Sequence, residues 1–154
     1  MESRPRHRIE IIYRPGIIAL RGRALDAASH RHHALQLAVG IGSEILVHTG
    51  DSKIEATAVL IPPDVTHELY ADRCLILLIE PESRLAAMLL RGSEYEERAC
   101  APASPRDQTV VDKATASPLT WRTVESVTAA YGAAIELERE VDPRLLRVFT
   151  WLDD

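Results

Sequence analysis

The chain is poor in the features that mark membrane and secreted proteins. It has two cysteines, Cys74 and Cys100, few aromatic residues, and no apolar run near the roughly 18 residues of a membrane span. The basic N-terminal stretch Arg4–Arg8 is not followed by the apolar segment of a secretion signal. We therefore expect a cytoplasmic protein with no membrane partner, in which both cysteines stay reduced.

The chain also lacks the positive charge of a protein that binds nucleic acid by itself. Its formal net charge is −5 at pH 7, whereas neutralising phosphates requires an excess of Lys and Arg. Any contact with DNA would have to come from a domain outside this sequence. A length of 154 residues suits one domain with a sizeable hydrophobic core.

Short segments rich in β-branched and apolar residues fill the first half of the chain. Turn pairs such as Pro15-Gly16, Gly50-Asp51 and Pro62-Pro63 separate them. Strands at spacings of roughly 8–12 residues are typical of an all-β barrel or sandwich, so the fold class is mainly β. The predicted strands are Arg8–Arg14, Ile17–Arg21, Ala34–Ile41, Glu44–His48, Lys53–Ala56, Ala58–Ile61, Glu68–Tyr70 and Cys74–Glu80.

Helices are predicted after Pro81. Ser83 can cap a short helix over Arg84–Arg91. The polar stretch 93–117 contains two prolines and is expected to be irregular, apart from a helix near Asp107–Lys113.

The longest helix is predicted over Thr120–Glu140. Apolar residues recur there at three- and four-residue spacing, including Val124, Val127, Tyr131 and Ile135. Asp142-Pro143 then has the N-cap and first-turn residues of a further helix, which the end of the sequence interrupts. We divide the chain into a β-barrel (1–82), a helical segment (83–140) and the start of a linker or next helix (141–154).

Histidines near the two ends of the strand-rich region form the candidate site. His30 and His32 are two residues apart and Gln36 has the same parity, so all three would face one side of a strand. His67 follows the proline turn and can lie opposite them. Three imidazoles suit a divalent transition metal such as Zn, Ni, Mn or Fe, although Gln36 stands where a carboxylate is usual. The alternative is a polar pocket in which these side chains hydrogen-bond a ligand directly.

No catalytic residue is predicted, because no nucleophile–base–orienter set, phosphate loop or carboxylate pair accompanies the histidines. The remaining histidines, His7, His33 and His48, are expected to be structural or solvated. Arg21 and Arg23 lie near the cluster in the sequence and would suit a carboxylate or hydroxylated ligand.

The histidine segments resemble the two motifs of the cupin superfamily. In the first motif, Gly22, His30-Arg31-His32 and Gly40 match, and Gln36 stands where the family has Glu. In the second, Pro62 to His67 matches, with Asp64 in place of a glycine and Ala71 in place of an asparagine. The resemblance implies a cupin-like double-stranded β-helix, or jelly-roll, followed by C-terminal α-helices.

Segment 141–154 resembles the lead-in to the DNA-binding domain of AraC-type transcription regulators, and Leu60–Leu85 resembles their N-terminal cupin domains. The resemblance implies an effector-sensing and dimerisation domain that binds a small molecule in the barrel. It further implies a homodimer through the helix that bears Val124, Val127, Tyr131 and Ile135. DNA would be contacted only by a C-terminal domain absent from this chain, so we expect the reading frame to continue past Asp154.

Two other functions remain open. The same histidines could serve a stand-alone metal-dependent cupin enzyme, an oxygenase or isomerase, in which His30, His32 and His67 hold the metal with Gln36. A structural or storage barrel without a small ligand is the third hypothesis.

Overall fold

A computed structural model describes residues 8–50, 52–91 and 100–133, with side chains for all of these except residues 24–27. The described chain forms one eight-stranded antiparallel sheet system and three helices, with the last short strand between the first two helices. This confirms the predicted mainly β fold class with C-terminal helices. The elements, in order, are β1 Glu10–Arg14, β2 Ile17–His30, β3 Leu35–Gly40, β4 Ile45–Thr49, β5 Ser52–Ala56, β6 Ala58–Ile61, β7 His67–Ile79, α1 Arg84–Arg91, β8 Ala101–Pro102, α2 Gln108–Ala116 and α3 Trp121–Ala130.

Two long strands, β2 and β7, pair with each other and carry the rest of the sheet. The strand order is β1-β2-β7-β3-β6-β8, and the hairpin of β4 and β5 attaches to the first half of β7. The ladder begins at Ile17↔Ile79 and ends at His30↔His67, after a register irregularity between Ala27 and His30.

The predicted division of these two strands into shorter ones was wrong. Ile17–Arg21 is only the start of the 14-residue strand β2, and Glu68–Tyr70 with Cys74–Glu80 are parts of the 13-residue strand β7. Polar residues such as Arg23 and Arg73 interrupt the apolar pattern, but their backbones pair with each other across the ladder. Backbone pairing, rather than side-chain pattern, therefore sets the length of these strands.

The second half of β7 separates two hydrophobic cores. Leu75, Leu77 and Ile79 belong to a core that includes buried residues of the three helices, and Cys74 belongs to a core among the strands. The second core, which we call the barrel core, consists of Ala38, Ile45, Val47, Val59, Ile61, Leu69, Cys74 and Cys100.

Both cysteines are free and buried in the barrel core. Burial disfavours the thiolate and raises the pKa of Cys74 to about 12 and that of Cys100 to about 11. Neither thiol is therefore a ready nucleophile at neutral pH.

The helices begin at polar caps. The hydroxyl of Ser83 accepts the N–H of Ala86 at 3.2 Å in α1, as predicted. Asp107 accepts the N–H of Thr109 at 2.9 Å in α2, and Thr120 forms a capping box with Thr123 in α3. No described helix has the length and apolar character needed to cross a bilayer.

Helix α3 is shorter than predicted. It ends at Ala130 rather than Glu140, because Gly132 adopts a left-handed conformation with φ of +91°. The N–H of Ala133 donates to Thr128 O at 2.9 Å and the N–H of Gly132 donates to Ala129 O at 3.0 Å, which is a Schellman motif. The apolar spacing continued past this glycine and gave no sign of the stop.

The described residues that were predicted for a dimer interface are buried within the chain itself. Val124 and Val127 are fully buried and Tyr131 is 7% exposed, all within the core between the helices and the sheet. Ile135 lies outside the described residues. These three side chains are thus unavailable to a second copy in this arrangement.

Buried Arg21 joins β2 to α2. Its Nε donates to Glu10 Oε2 at 2.5 Å, and its Nη1 donates to the carbonyl of Thr115 at 3.2 Å and to that of Ser117. Thr115 lies in the last turn of α2, and Ser117 is the C-cap of that helix. The hydrogen bond from Arg21 is the main reason that the pKa of Glu10 lies below its ordinary value. The guanidinium is engaged here, so Arg21 is not the ligand-binding residue that its sequence position suggested.

Replacing Arg21 should weaken the attachment of α2 to β2. We expect Arg21→Met to lower the free energy of unfolding by about 2–4 kcal/mol, because Glu10 and the carbonyls of Thr115 and Ser117 lose a charged donor. Urea denaturation measures the loss. Arg23→Met, on the same strand but exposed, should change it by less than about 0.5 kcal/mol. Equal losses in the two variants would contradict the role given to Arg21.

Candidate metal and ligand site

Three histidines from three places in the chain converge at one end of the β2–β7 ladder. His30 is the last residue of β2, His32 lies in the loop that follows, and His67 is the first residue of β7. Their potential ligand atoms lie within 4.8 Å of one another. Ring centroids are 4.4 Å apart for His30 and His67, and 5.2 Å apart for His32 and His67. The structure thus brings the predicted histidines together.

The prediction that His30 and His32 lie close together because they face the same side of one strand was wrong. His30 and His32 do not share a strand, because β2 ends at His30 and β3 begins only at Leu35. The pairing of His30 with His67 places these two rings together, and the loop then returns His32 to the same point. Strand parity has no part in the arrangement.

Each ring is oriented by a backbone carbonyl. The Nδ1 of His30 lies 2.7 Å from Ala28 O, that of His67 lies 2.8 Å from Val65 O, and that of His32 lies 3.2 Å from Ala34 O. An Nδ1–H donating to a carbonyl fixes the tautomer and leaves the lone pair on Nε2. This is the arrangement in which histidine binds a metal through Nε2.

Gln36 completes the cluster from β3. It is 3% exposed, and its Oε1 lies 2.8 Å from Nε2 of His32. With the proton of His32 on Nδ1, Nε2 and Oε1 are two acceptors facing each other. The contact is satisfied when His32 carries its proton on Nε2, when the amide NH2 of Gln36 is turned toward that nitrogen, or when a cation is shared by the two atoms.

His67 is the most buried member of the cluster. It is 1% exposed, and its Nε2 has no hydrogen-bond partner. Burial lowers its pKa from the ordinary value of 6.5, the neighbouring rings of His30 and His32 lower it further, and the hydrogen bond to Val65 opposes them. His67 is therefore neutral at pH 7, as a metal ligand must be.

The donor set fits a divalent transition metal. Ligand atoms bound to one ion at about 2.0–2.2 Å lie within about 4.4 Å of each other, and the three histidines approach this at 4.8 Å. The unpartnered Nε2 of His67 and the facing acceptors of His32 and Gln36 are the atoms that such an ion would satisfy. His30, His32 and His67 would hold it, with Gln36 beside them.

The turn before His67 ties the two sequence motifs together. Asp64 has a φ of +61°, the left-handed region in which glycine is favoured, and its N–H donates to His32 O at 2.8 Å. Its carboxylate Oδ2 lies 3.0 Å from Nδ1 of His33, and this hydrogen bond is the main cause that raises the pKa of His33. His33 is exposed, as expected, and His48 lies away from the cluster against Glu68 and Tyr70.

An apolar groove adjoins the site, and sequence reasoning missed it. Its volume is about 500 Å³, and its mostly apolar lining includes Tyr13, Ile18, Leu78 and the charged residues Arg14 and Glu80. It meets the site through His33 and Ala34, in the loop between His32 and Gln36. Tyr13 is 78% exposed and Ile18 is 41% exposed. The available signal was the run Ile11-Ile12-Tyr13 in β1, which is apolar on both faces of a strand.

No protein-family model and no curated protein matches the chain, but solved structures do. A cupin superfamily protein from Desulfitobacterium hafniense is 11% identical, with 51% of this chain and 83% of that chain covered and a TM-score of 0.41. An RmlC-like cupin from Shewanella frigidimarina is 14% identical, with 54% and 90% covered and a TM-score of 0.41. KdgF from a Halomonas species is 19% identical, with 54% and 87% covered and a TM-score of 0.42.

The lowered pKa of His67 predicts a loss of stability in mild acid. The folded state binds this proton less readily than the unfolded chain, so the stabilisation is complete above the ordinary value of 6.5. It is lost as the pH falls below 6.5 and through the folded pKa. We expect the metal-free protein to unfold at lower urea at pH 5.5 than at pH 7.5, and His67→Asn to reduce this difference.

His33→Asn is the matched control. The pKa of His33 is raised, so its contribution has the opposite sign, and its removal should leave the acid loss at least as large. A His67→Asn variant with an undiminished acid loss would contradict the assignment.

Proposed function

We propose that this chain is a cupin-type barrel that binds a small molecule, and that it serves as the effector-sensing and dimerisation domain of an AraC-type transcription regulator. The convergence of His30, His32, Gln36 and His67 carries the binding function. Four polar side chains that meet in the wall of a barrel, with a buried acceptor left unpartnered, form a site for a ligand rather than a packed core.

The site would hold a divalent transition metal (Zn, Ni, Mn or Fe). When bound, the ion supplies a Lewis acid with open coordination positions for a small molecule. The chain's own residues prepare this binding. The carbonyls of Ala28 and Val65 hold the rings of His30 and His67 in the ligating tautomer, and the burial of His67 keeps its ring neutral.

Strand β2 offers a route from the site to the helices. It carries His30 at one end, and it carries Arg21, the anchor of α2, nine positions earlier. A ligand that binds two arrangements of β2 with different affinity would shift α2 between two positions. The regulator function would use this displacement.

The link to a regulator is supported by the resemblance of segment 141–154, which lies outside the described residues. A DNA-binding domain would follow it. The proposed homodimer would form without Val124, Val127 and Tyr131, since these are buried in the chain itself.

A stand-alone metal-dependent enzyme, an oxygenase or isomerase, is the second candidate. The observation that favours it is the same histidine cluster, because three imidazoles leave positions on the metal at which a substrate could react. The two functions share the site and differ in what the chain is attached to.

The metal site is tested by titration of the chelator-treated protein with Co²⁺, followed by visible absorption. We expect about one equivalent to bind, and His32→Ala to weaken binding by more than about tenfold because one of three strong ligands is lost. His48→Ala is the matched control, since His48 lies outside the cluster, and it should bind Co²⁺ like the parent. Equal binding by all three proteins would contradict the site.

The size of the natural gene product distinguishes the two candidate functions. An immunoblot of the source cells with an antibody to this domain should show a band of roughly 30–35 kDa, because two helix-turn-helix units need about 100 further residues. A band at 17.1 kDa, the mass of this chain, would contradict the regulator and favour the enzyme.

A further inference from the structure

The donor set of the proposed metal site is neutral. Three imidazoles and the amide of Gln36 bring no negative charge, and no carboxylate joins the cluster among the side chains that the structure describes. Three carboxylates in this region contact other groups, and Glu80 lies in the lining of the groove. Asp64 and Glu82 contact His33 at the surface, and Glu68 accepts the hydroxyl of Tyr70. A divalent ion would therefore keep its full charge of two.

An uncompensated charge in this position favours an anionic ligand. His67 is almost fully buried and His30 is exposed, so the site is shielded from water on one side and open to a ligand on the other. A charge on the shielded side interacts more strongly with a counter-ion than it would in water. A carboxylate ligand from the protein would have halved this charge. Its replacement by Gln36 leaves the counter-charge to be supplied by the bound molecule.

The groove described above continues from the site along one row of the sheet. Gln36 pairs with Leu78, Leu78 pairs with Ile18, and Ile18 pairs with Tyr13. Directly paired residues of antiparallel strands share a face, so Leu78, Ile18 and Tyr13 extend an apolar floor from Gln36 to the edge of the sheet. Three strand spacings amount to about 14 Å.

The groove and the cluster also share a loop. Ala34, whose carbonyl holds the ring of His32, lines the groove. A volume of about 500 Å³ is enough for a small organic molecule. A ligand whose head binds at the cluster would thus have its body on the groove floor.

We propose that the site takes an amphipathic organic anion, whose carboxylate binds the metal beside Gln36 and whose apolar body lies on Leu78, Ile18 and Tyr13. This proposal rests on the metal site proposed above. It differs from the expectation based on Arg21, since that guanidinium is engaged with Glu10 and α2 and the metal supplies the positive charge instead.

The test uses the whole chain and starts with Co²⁺ alone, whose visible absorption reports metal binding before any anion is added. Acetate, octanoate and 1-octanol are then titrated into the Co²⁺-loaded protein. We expect octanoate to change the spectrum and to bind at least about tenfold more tightly than acetate, because its chain is buried on the groove floor. We expect 1-octanol, which lacks the charge, to leave the spectrum unchanged.

Two substitutions test separately how the charge of the metal and the apolar floor of the groove contribute to anion binding. Gln36→Glu should retain Co²⁺ and weaken both acetate and octanoate by about tenfold, because the protein now supplies a negative charge. Ile18→Ser should weaken octanoate by about threefold or more and leave acetate unchanged. Ile11→Ser is the matched control: Ile11 is 58% exposed on the same face of the neighbouring strand but does not line the groove, so octanoate binding should be unaffected.

Each contrary result has a distinct meaning. Co²⁺ binding with no preference for octanoate over acetate or 1-octanol overturns this inference and leaves the metal site standing. Absence of Co²⁺ binding overturns both. A change of sedimentation mass in Ile18→Ser, with octanoate binding unaltered, assigns the groove to a second copy of the chain and also overturns the inference.

Discussion

The antiparallel ladder between β2 and β7 is the constraint on which the rest of the structure depends. Strand β2 pairs with β1, and strand β7 pairs with β3 and with β4 of the β4–β5 hairpin. The same ladder places His30 opposite His67 at one end and Arg21 beside the helices further along. The register of this ladder therefore determines both where the candidate site forms and where α2 packs. A slip of one residue would turn both to the wrong face.

The site itself combines burial with polarity. A histidine ring that is 1% exposed and lacks a partner on Nε2 is unfavourable unless something satisfies that atom. The surrounding backbone does not supply a partner for Nε2 of His67, because the three carbonyls near the cluster contact Nδ1 of each ring instead. The chain thus maintains an oriented, buried lone pair on His67 at some cost to its own stability. Such a loss of stability is expected where a bound ligand or ion offsets it.

The sequence predicted the histidine cluster because the spacing of the two motifs can be read directly along the chain. Prediction failed where an element depends on partners distant in the chain. Polar residues at Arg23 and Arg73 hid the full length of two strands whose backbones pair regardless. Arg21 looked like a ligand-binding residue because its neighbours in space, Thr115 and Ser117, are more than ninety positions away. In α3 the glycine at position 132 ended the helix, although the apolar spacing continued beyond it.

The two cysteines give the protein an internal reporter. Both thiols lie in the barrel core with strongly raised pKa values, about 12 for Cys74 and about 11 for Cys100. A thiol reagent in native buffer therefore reaches them only when the strands around that core separate. The rate of labelling measures how often the barrel opens, without denaturant and without an introduced probe. A molecule that binds in the wall of the barrel and closes it would show itself as a slower reaction at these two sulfur atoms.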